Sequence, residues 1–153
     1  MSDQLEEIQI RRLLVAIDGS DSSTLALRAA ITVARRDNAA LTLLCVAPEA
    51  GHDISRFAAA AGVPPTTQEE LDAEAEKILR RTVELVPEEI PVRSVVRRGK
   101  AGPAIVAHAR EENYDAILVG ARGVGRVGAI IGSVSAYVLS HAHIDVFVAR
   151  SAV

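Results

Sequence analysis

The hydrophobic pattern of this chain alternates between strand-length apolar runs and stretches of helical spacing. Arg12–Asp18, Ala40–Val46 and Tyr114–Val119 are nearly continuous apolar runs. Such runs suit strands buried on both faces, as in a parallel sheet. Val92–Arg98 carries Arg93, Ser94, Arg97 and Arg98 among its valines, which predicts an edge strand with one weakly buried face. Ile144–Arg150 predicts a last strand that closes the sheet as an unprotected apolar edge. Between these runs the apolar residues recur at helical intervals. Leu25, Leu27, Ala30, Ile31, Val33 and Ala34 predict a helix that starts with Ser20 or Asp21 as N-cap and ends near Asp37. Thr67 and Glu70 have capping-box spacing, and the helix they open continues through Leu71, Ala75, Ile78, Leu79, Val83 and Val86 until Pro87 ends it. Gly99–Pro103 reads as a turn, Ala104–Glu112 as a helix, and Gly132-Ser133 as the opening of a last helix through Val134, Val138 and Leu139.

Strands and helices in alternation imply right-handed crossovers and an α/β fold, an open, doubly wound five-stranded parallel sheet with helices on both faces. Residues 1–9 read as a flexible N-terminal tail, and residues 10–153 as a single domain. The least regular stretch is 47–65, where Arg56–Ala61 forms either a short helix or part of a loop.

Composition narrows the function. Apolar residues make up 49% of the chain but aromatics only 3%, so the core is aliphatic and stacking platforms for bases are scarce. A net charge of −3 also argues against a nucleic-acid binder. Cys45, the one cysteine, lies in an apolar run and reads as a buried core thiol. The polar N-terminus is unlike a secretory signal, and no apolar run is long enough to span a bilayer, so the chain is expected to be cytoplasmic, with no membrane partner. His141 and His143 read as residues near a helix end rather than a metal pair.

The candidate chemistry lies after the Tyr114–Val119 run. Gly120, Gly123, Gly125, Gly128 and Gly132 are interleaved with Arg122 and Arg126, and Ser133 and Ser135 follow. Strand, glycine loop and helix start together form an anion cradle: glycines permit close backbone approach, arginines donate to phosphate, and a helix N-terminus offers N–H groups. There is no lysine after Lys100, which rules out the Gly-Lys-Ser/Thr phosphate motif. Gly123, Gly125 and Gly128 spell G-x-G-x-x-G, but the next strand-like run has its only acid, Asp145, at its start, and no chain remains for a second nucleotide half. Asp18, at the carboxyl end of the first strand, falls where open α/β sheets bind ligands.

At these residues the chain resembles the universal stress protein family, whose ATP-binding signature is G-x2-G-x9-G-Ser/Thr. Gly120-x2-Gly123 and Gly132-Ser133 match it, with eight residues, Val124 to Ile131, in place of nine. The resemblance implies strand order 3-2-1-4-5 and a crevice between the first and fourth strands. It implies that adenosine lies between Asp18-Gly19, Val46 and Val119-Gly120. The phosphates then lie along Ala121, Arg122, Gly123, Val124, Gly125 and Arg126, and against Gly132, Ser133, Val134 and Ser135. The expected ligand is ATP, or ADP or AMP in its place, with Mg carried without protein side chains alone as ligands. A homodimer through residues 144–150 is also implied. Two functions stay open, an adenine-nucleotide-binding stress-response module and an interaction protein of the same fold that does not bind nucleotide. An enzyme is least favoured, since no general base can be named, and at most slow ATP hydrolysis is expected.

Overall fold

The structure, a computed structural model, describes residues 5–50, 67–121 and 131–151. Its elements in chain order are β1 (Arg12–Ala16), α1 (Asp21–Asp37), β2 (Ala40–Ala47), α2 (Gln68–Val83), β3 (Val92–Arg98), α3 (Ala101–Glu111), β4 (Ala116–Gly120), α4 (Ser133–His141) and β5 (Asp145–Ala149). The strands form one sheet in the order β3-β2-β1-β4-β5, and every pairing is parallel. The chain winds outward from β1 to β3 and then crosses back to β4, so the winding direction reverses between β1 and β4.

Side-chain alternation along each strand sorts the core into two layers. Leu13, Val15, Leu41, Leu43, Cys45 and Leu118 pack against Ala26, Leu27 and Ala30 of α1 and Leu71, Ala75 and Leu79 of α2. Leu14, Leu44, Ile117 and Val119 face the opposite way, onto Ile105, Val106 and Ala109 of α3 and Val138 of α4. Both faces of the sheet are therefore covered, which is why the central strands carry no polar alternation.

Helix termini follow the local chemistry. The Ser20 hydroxyl accepts from the Ser23 N–H at 3.1 Å and caps α1, which closes with Asn38 in the left-handed region at φ 57°. The capping box of α2 is complete, with the Thr67 hydroxyl accepting from the Glu70 N–H and the Glu70 carboxylate accepting from the Thr67 N–H. Strand ends shift by one or two residues from the sequence expectation, with β1 ending at Ala16 rather than Asp18, and three further boundaries differ for a visible local reason. α2 stops at Val83 rather than Val86, because Leu85 and Val86 N–H groups bond three residues back, to Thr82 and Val83, in the tighter turn that precedes Pro87. α3 begins at Ala101 rather than Ala104; Pro103 is accommodated because a first-turn residue needs no helical N–H partner. β4 begins at Ala116, since Tyr114 and Asp115 serve other ends: the Asp115 carboxylate accepts from the Arg11 and Arg12 N–H groups, both at 2.8 Å, and pins the start of β1.

Tyr114 belongs to a polar network beneath α3 that hydrophobic periodicity does not reveal. His108 is buried, and its Nδ1 faces Arg97 Nε at 3.1 Å and Nη2 at 2.9 Å, both of them donors. Nδ1 must therefore accept, so the ring proton sits on Nε2 and points to the Tyr114 hydroxyl at 3.0 Å. That hydroxyl donates to Glu112 and accepts from Arg93, which also reaches Thr42 on β2. Burial, reinforced by the Arg97 charge, holds the His108 pKa below its ordinary 6.5. The unfolded chain therefore takes up this proton first as pH falls. Stability from the neutral ring is full above the unfolded value and is lost as pH drops from there through the depressed folded value. A series of urea titrations from about pH 7.5 to about pH 5 should show stability falling with pH, and the His108→Gln variant should show a shallower slope. Equal slopes in the two proteins would refute this assignment.

Candidate functional site

The site is built at the carboxyl edge of the sheet, where β1 ends before its neighbour. Pairing between β1 and β2 stops at Ala16↔Leu44, followed by one last bond from the Ile17 N–H to the Leu44 carbonyl at 2.9 Å, while β2 continues to Ala47. Backbone groups of β2 alternate in direction. Ala40 and Leu44 bond towards β1, whereas the Leu41 N–H and the Ala47 carbonyl bond towards β3. By the same alternation, the N–H and carbonyl of Val46 face the β1 side, beyond the last β1 bond. A donor and an acceptor thus lie side by side on the wall of the crevice.

The departure of β1 is fixed locally. Asp18 Oδ1 accepts from the Ser20 N–H at 2.9 Å and from the Ser20 hydroxyl, closing an Asx turn over Gly19. Gly19 adopts φ +83°, which L side chains rarely take. Asp18 lies at the carboxyl edge of the sheet, just past the end of β1, and one of its oxygens is already held by this turn. On the other side of the crevice, a Cβ on Gly120 would fall 2.4 Å from Ser22 Oγ and 2.5 Å from the Ser22 carbonyl oxygen. Gly120 is therefore required by the first turn of α1, a packing reason that the loop pattern alone does not disclose.

The remaining wall is the start of α4. The buried Gly132 donates its N–H to the Ala121 carbonyl at 2.6 Å, while the Ala121 N–H donates to Ala149 at the end of β5. Helical bonding opens with the Ala136 N–H to the Gly132 carbonyl. Ser135, expected beside phosphate, is 2% exposed, and its hydroxyl faces the carbonyls of Ala121 at 3.1 Å and Gly132 at 3.0 Å. Its one proton is thus directed at the backbone, and Ser135 ties α4 to the end of β4. Ser133 is exposed and Val134 half-buried. The Val119 side chain is core, at 1% exposure, so only its backbone is placed to reach the crevice. Arg122, Gly123, Val124, Gly125 and Arg126 lie outside the described residues.

Of the four described helices that start at this edge, the two that follow β1 and β4 and flank the switch point differ in charge. α1 has a side-chain cap from Ser20 and Asp21 in its first turn; α4 has neither a side-chain cap nor an acid there. The positive end of the α4 dipole is therefore the one suited to an anion. Cys45, on the strand that carries Val46, is buried, and burial pushes its thiol up to about 12, so it is an inert core residue. No group of three or more His, Cys, Asp or Glu residues suited to a metal ion occurs among the described residues, and no helix among them is long and apolar enough to cross a membrane.

A five-stranded parallel sheet whose winding reverses between β1 and β4, with helices on both faces, defines the class of open doubly wound α/β domains. The sequence profile of the Universal stress protein family matches residues 9–150, and the chain belongs to that family. It is 35% identical over 130 residues to Universal stress protein YxiE of Bacillus subtilis, covering 81% of this chain and 88% of the relative. Among solved structures, universal stress protein UspA from Lactobacillus plantarum superposes with a TM-score of 0.76 at 27% identity, over 94% of this chain and all 100% of the other. A universal stress protein solved in complex with cAMP superposes with a TM-score of 0.60 at 25% identity, over 95% of this chain and 100% of that one.

Gly120→Ala should lower stability by about 1–3 kcal/mol, because the added methyl meets the α1 backbone rather than a movable side-chain tip. Urea unfolding measures it, and an unchanged midpoint would show that α1 yields freely at Ser22.

Proposed function

We propose that this protein binds an adenine nucleotide in the crevice between β1 and β4 and acts as a nucleotide-responsive module of the universal stress protein family. The observation that carries the reading is the pairing of two features on one crevice: the Val46 backbone edge and the uncapped start of α4. An adenine edge offers an amino donor beside a ring-nitrogen acceptor, which complements a carbonyl and N–H from one residue. Phosphates fit the α4 end, where Gly132 brings backbone close and Ser133 and Val134 continue the helix start. In this reading Arg122 and Arg126 add charged donors, with Ala121, Gly123, Val124 and Gly125 completing the loop between the two ends. The relative solved with cAMP supports the ligand class. ATP, ADP and AMP are the candidates, with Mg held by phosphates, and no step of hydrolysis is assigned.

Calorimetry on nucleotide-stripped protein tests the reading with ATP, ADP, AMP and cAMP. Gly132→Glu should abolish binding by adding bulk and like charge at the phosphates. Arg122→Ala and Arg126→Ala should each weaken ATP more than adenosine, by about 1.5–3 kcal/mol. Absence of ATP binding at millimolar concentration would favour the interaction-protein alternative, and equal losses for ATP and adenosine would refute the arginine roles.

We also propose a homodimer through residues 144–150. The two sheet edges differ: β3 is lined by Arg93, Arg97 and Arg98, whereas β5 ends the sheet with Phe147 44% exposed. An apolar edge of this kind is open to pairing with a second copy, and charged edges resist it. Val146 and Val148 pack inward beneath α4, so Phe147→Lys is the variant that probes the edge while sparing the core. Sedimentation should show a dimer for the wild type and weakened association for Phe147→Lys; a monomeric wild type at micromolar concentration would overturn the assembly.

A further inference from the structure

Beyond the crevice, the exit of β2 is held by a set of hydrogen bonds that helix capping does not require. Gln68, the first residue of α2, accepts the Ala50 N–H on its side-chain oxygen at 2.9 Å and donates from its amide nitrogen to the Pro48 carbonyl at 3.1 Å. The same nitrogen donates to Asp72 Oδ1 at 3.0 Å. Two acceptors on one side and one donor on the other fix the orientation of the amide. Asp72 is in turn held by Arg98, whose Nε lies 3.1 Å from both carboxylate oxygens, and Arg98 pairs with Ala47 across the β2–β3 ladder. The Gly99 N–H closes the circuit by donating to the Ala47 carbonyl at 3.0 Å.

We propose that Gln68 is a positioning residue for the base-reading end of β2, acting through Pro48 and Ala50 on the backbone edge of Val46; this inference rests on the nucleotide reading above. β2 has no β1 partner beyond Leu44, so its β1-facing edge at Val46 gains no rigidity from that neighbour. Anchoring from the β3 side and from Gln68 holds it instead. Removing the anchor lowers the fraction of molecules in which the Val46 N–H and carbonyl stand ready, and apparent affinity falls by that fraction. The phosphate end, at Gly132–Val134, is built from other elements and is untouched. The signature is a loss that follows the base and spares the phosphates.

Gln68→Met keeps the side-chain length and a helix-compatible residue but removes all three hydrogen bonds. Gln68→Glu keeps the acceptor for Ala50 and loses both donors. In calorimetry both variants should bind ATP about tenfold more weakly, the scale of one or two net hydrogen bonds. GTP affinity and competition by inorganic tripolyphosphate should stay at wild-type values, so the preference for ATP over GTP narrows. Wild-type ATP affinity and selectivity in both variants would overturn this inference alone, as would parallel losses of ATP, GTP and tripolyphosphate, which mark general damage. Wild-type protein that binds no adenine nucleotide would overturn the nucleotide reading and this inference with it.

Discussion

The site depends on one constraint, the early end of β1. In an open parallel sheet the crevice lies at the switch point, where the connections after β1 and β4 leave to opposite faces. The early end of β1 additionally leaves the backbone of β2 beyond Leu44 without a β1 partner. Here the Asp18–Ser20 hydrogen bonds and the positive φ of Gly19 turn the chain out of the sheet after Ile17, while β2 runs on to Ala47. Ser20 then caps α1, so the turn that opens the crevice also begins the helix that covers the neighbouring face. One short stretch of sequence thereby couples strand termination, helix initiation and the exposure of the Val46 backbone.

The opposite wall shows why a ligand motif and a packing motif can coincide. Gly120 admits the first turn of α1 at a distance no side chain tolerates, and Gly132 is buried against the Ala121 carbonyl. Both residues satisfy the architecture before any nucleotide is considered. Ser135 makes the same point for polar residues, since its hydroxyl fastens α4 to β4 from a buried position. A family signature read only as a list of ligand contacts would assign such residues a single role. In this fold, close approach of α1 to the end of β4 by itself demands a glycine at position 120.

Among the described residues, buried polar groups such as His108 and Asp37 are tied to partners that reach the surface. His108, Tyr114, Glu112, Arg93 and Arg97 form one connected network beneath α3, and Asp37 receives the Ile10 N–H while its carboxyl is lowered to about 2, first by the Arg36 hydrogen bond and then by Ile10. Such networks specify how the N-terminal segment and the β3 edge seat against an otherwise interchangeable aliphatic core. Leu, Val and Ile side chains alone would leave the register of these peripheral pieces weakly defined.

Strands, helices and the sheet's parallel character were legible in the chain because their physics is local. Doubly buried runs such as Leu13–Ile17 and capping pairs such as Thr67 with Glu70 carry their own signals, and the glycine loop with Gly132-Ser133 carried the family resemblance and its strand order. Boundaries set by competing turns were not legible: the i→i+3 bonds after Val83 and the tolerance of Pro103 in a first turn depend on geometry that periodicity does not encode. Asp18 and Val46 could be placed at the carboxyl edge of the sheet from sequence. The direction of the Val46 backbone could not, because it follows from where β1 stops against β2. Gln68 shows the limit most clearly. Its neighbours Thr67 and Glu70 announce a helix start, but its contacts with Pro48 and Ala50 lie 20 and 18 residues away along the chain. Local sequence decides which way a segment wants to fold; only the closed structure decides which distant backbone groups a single amide will meet.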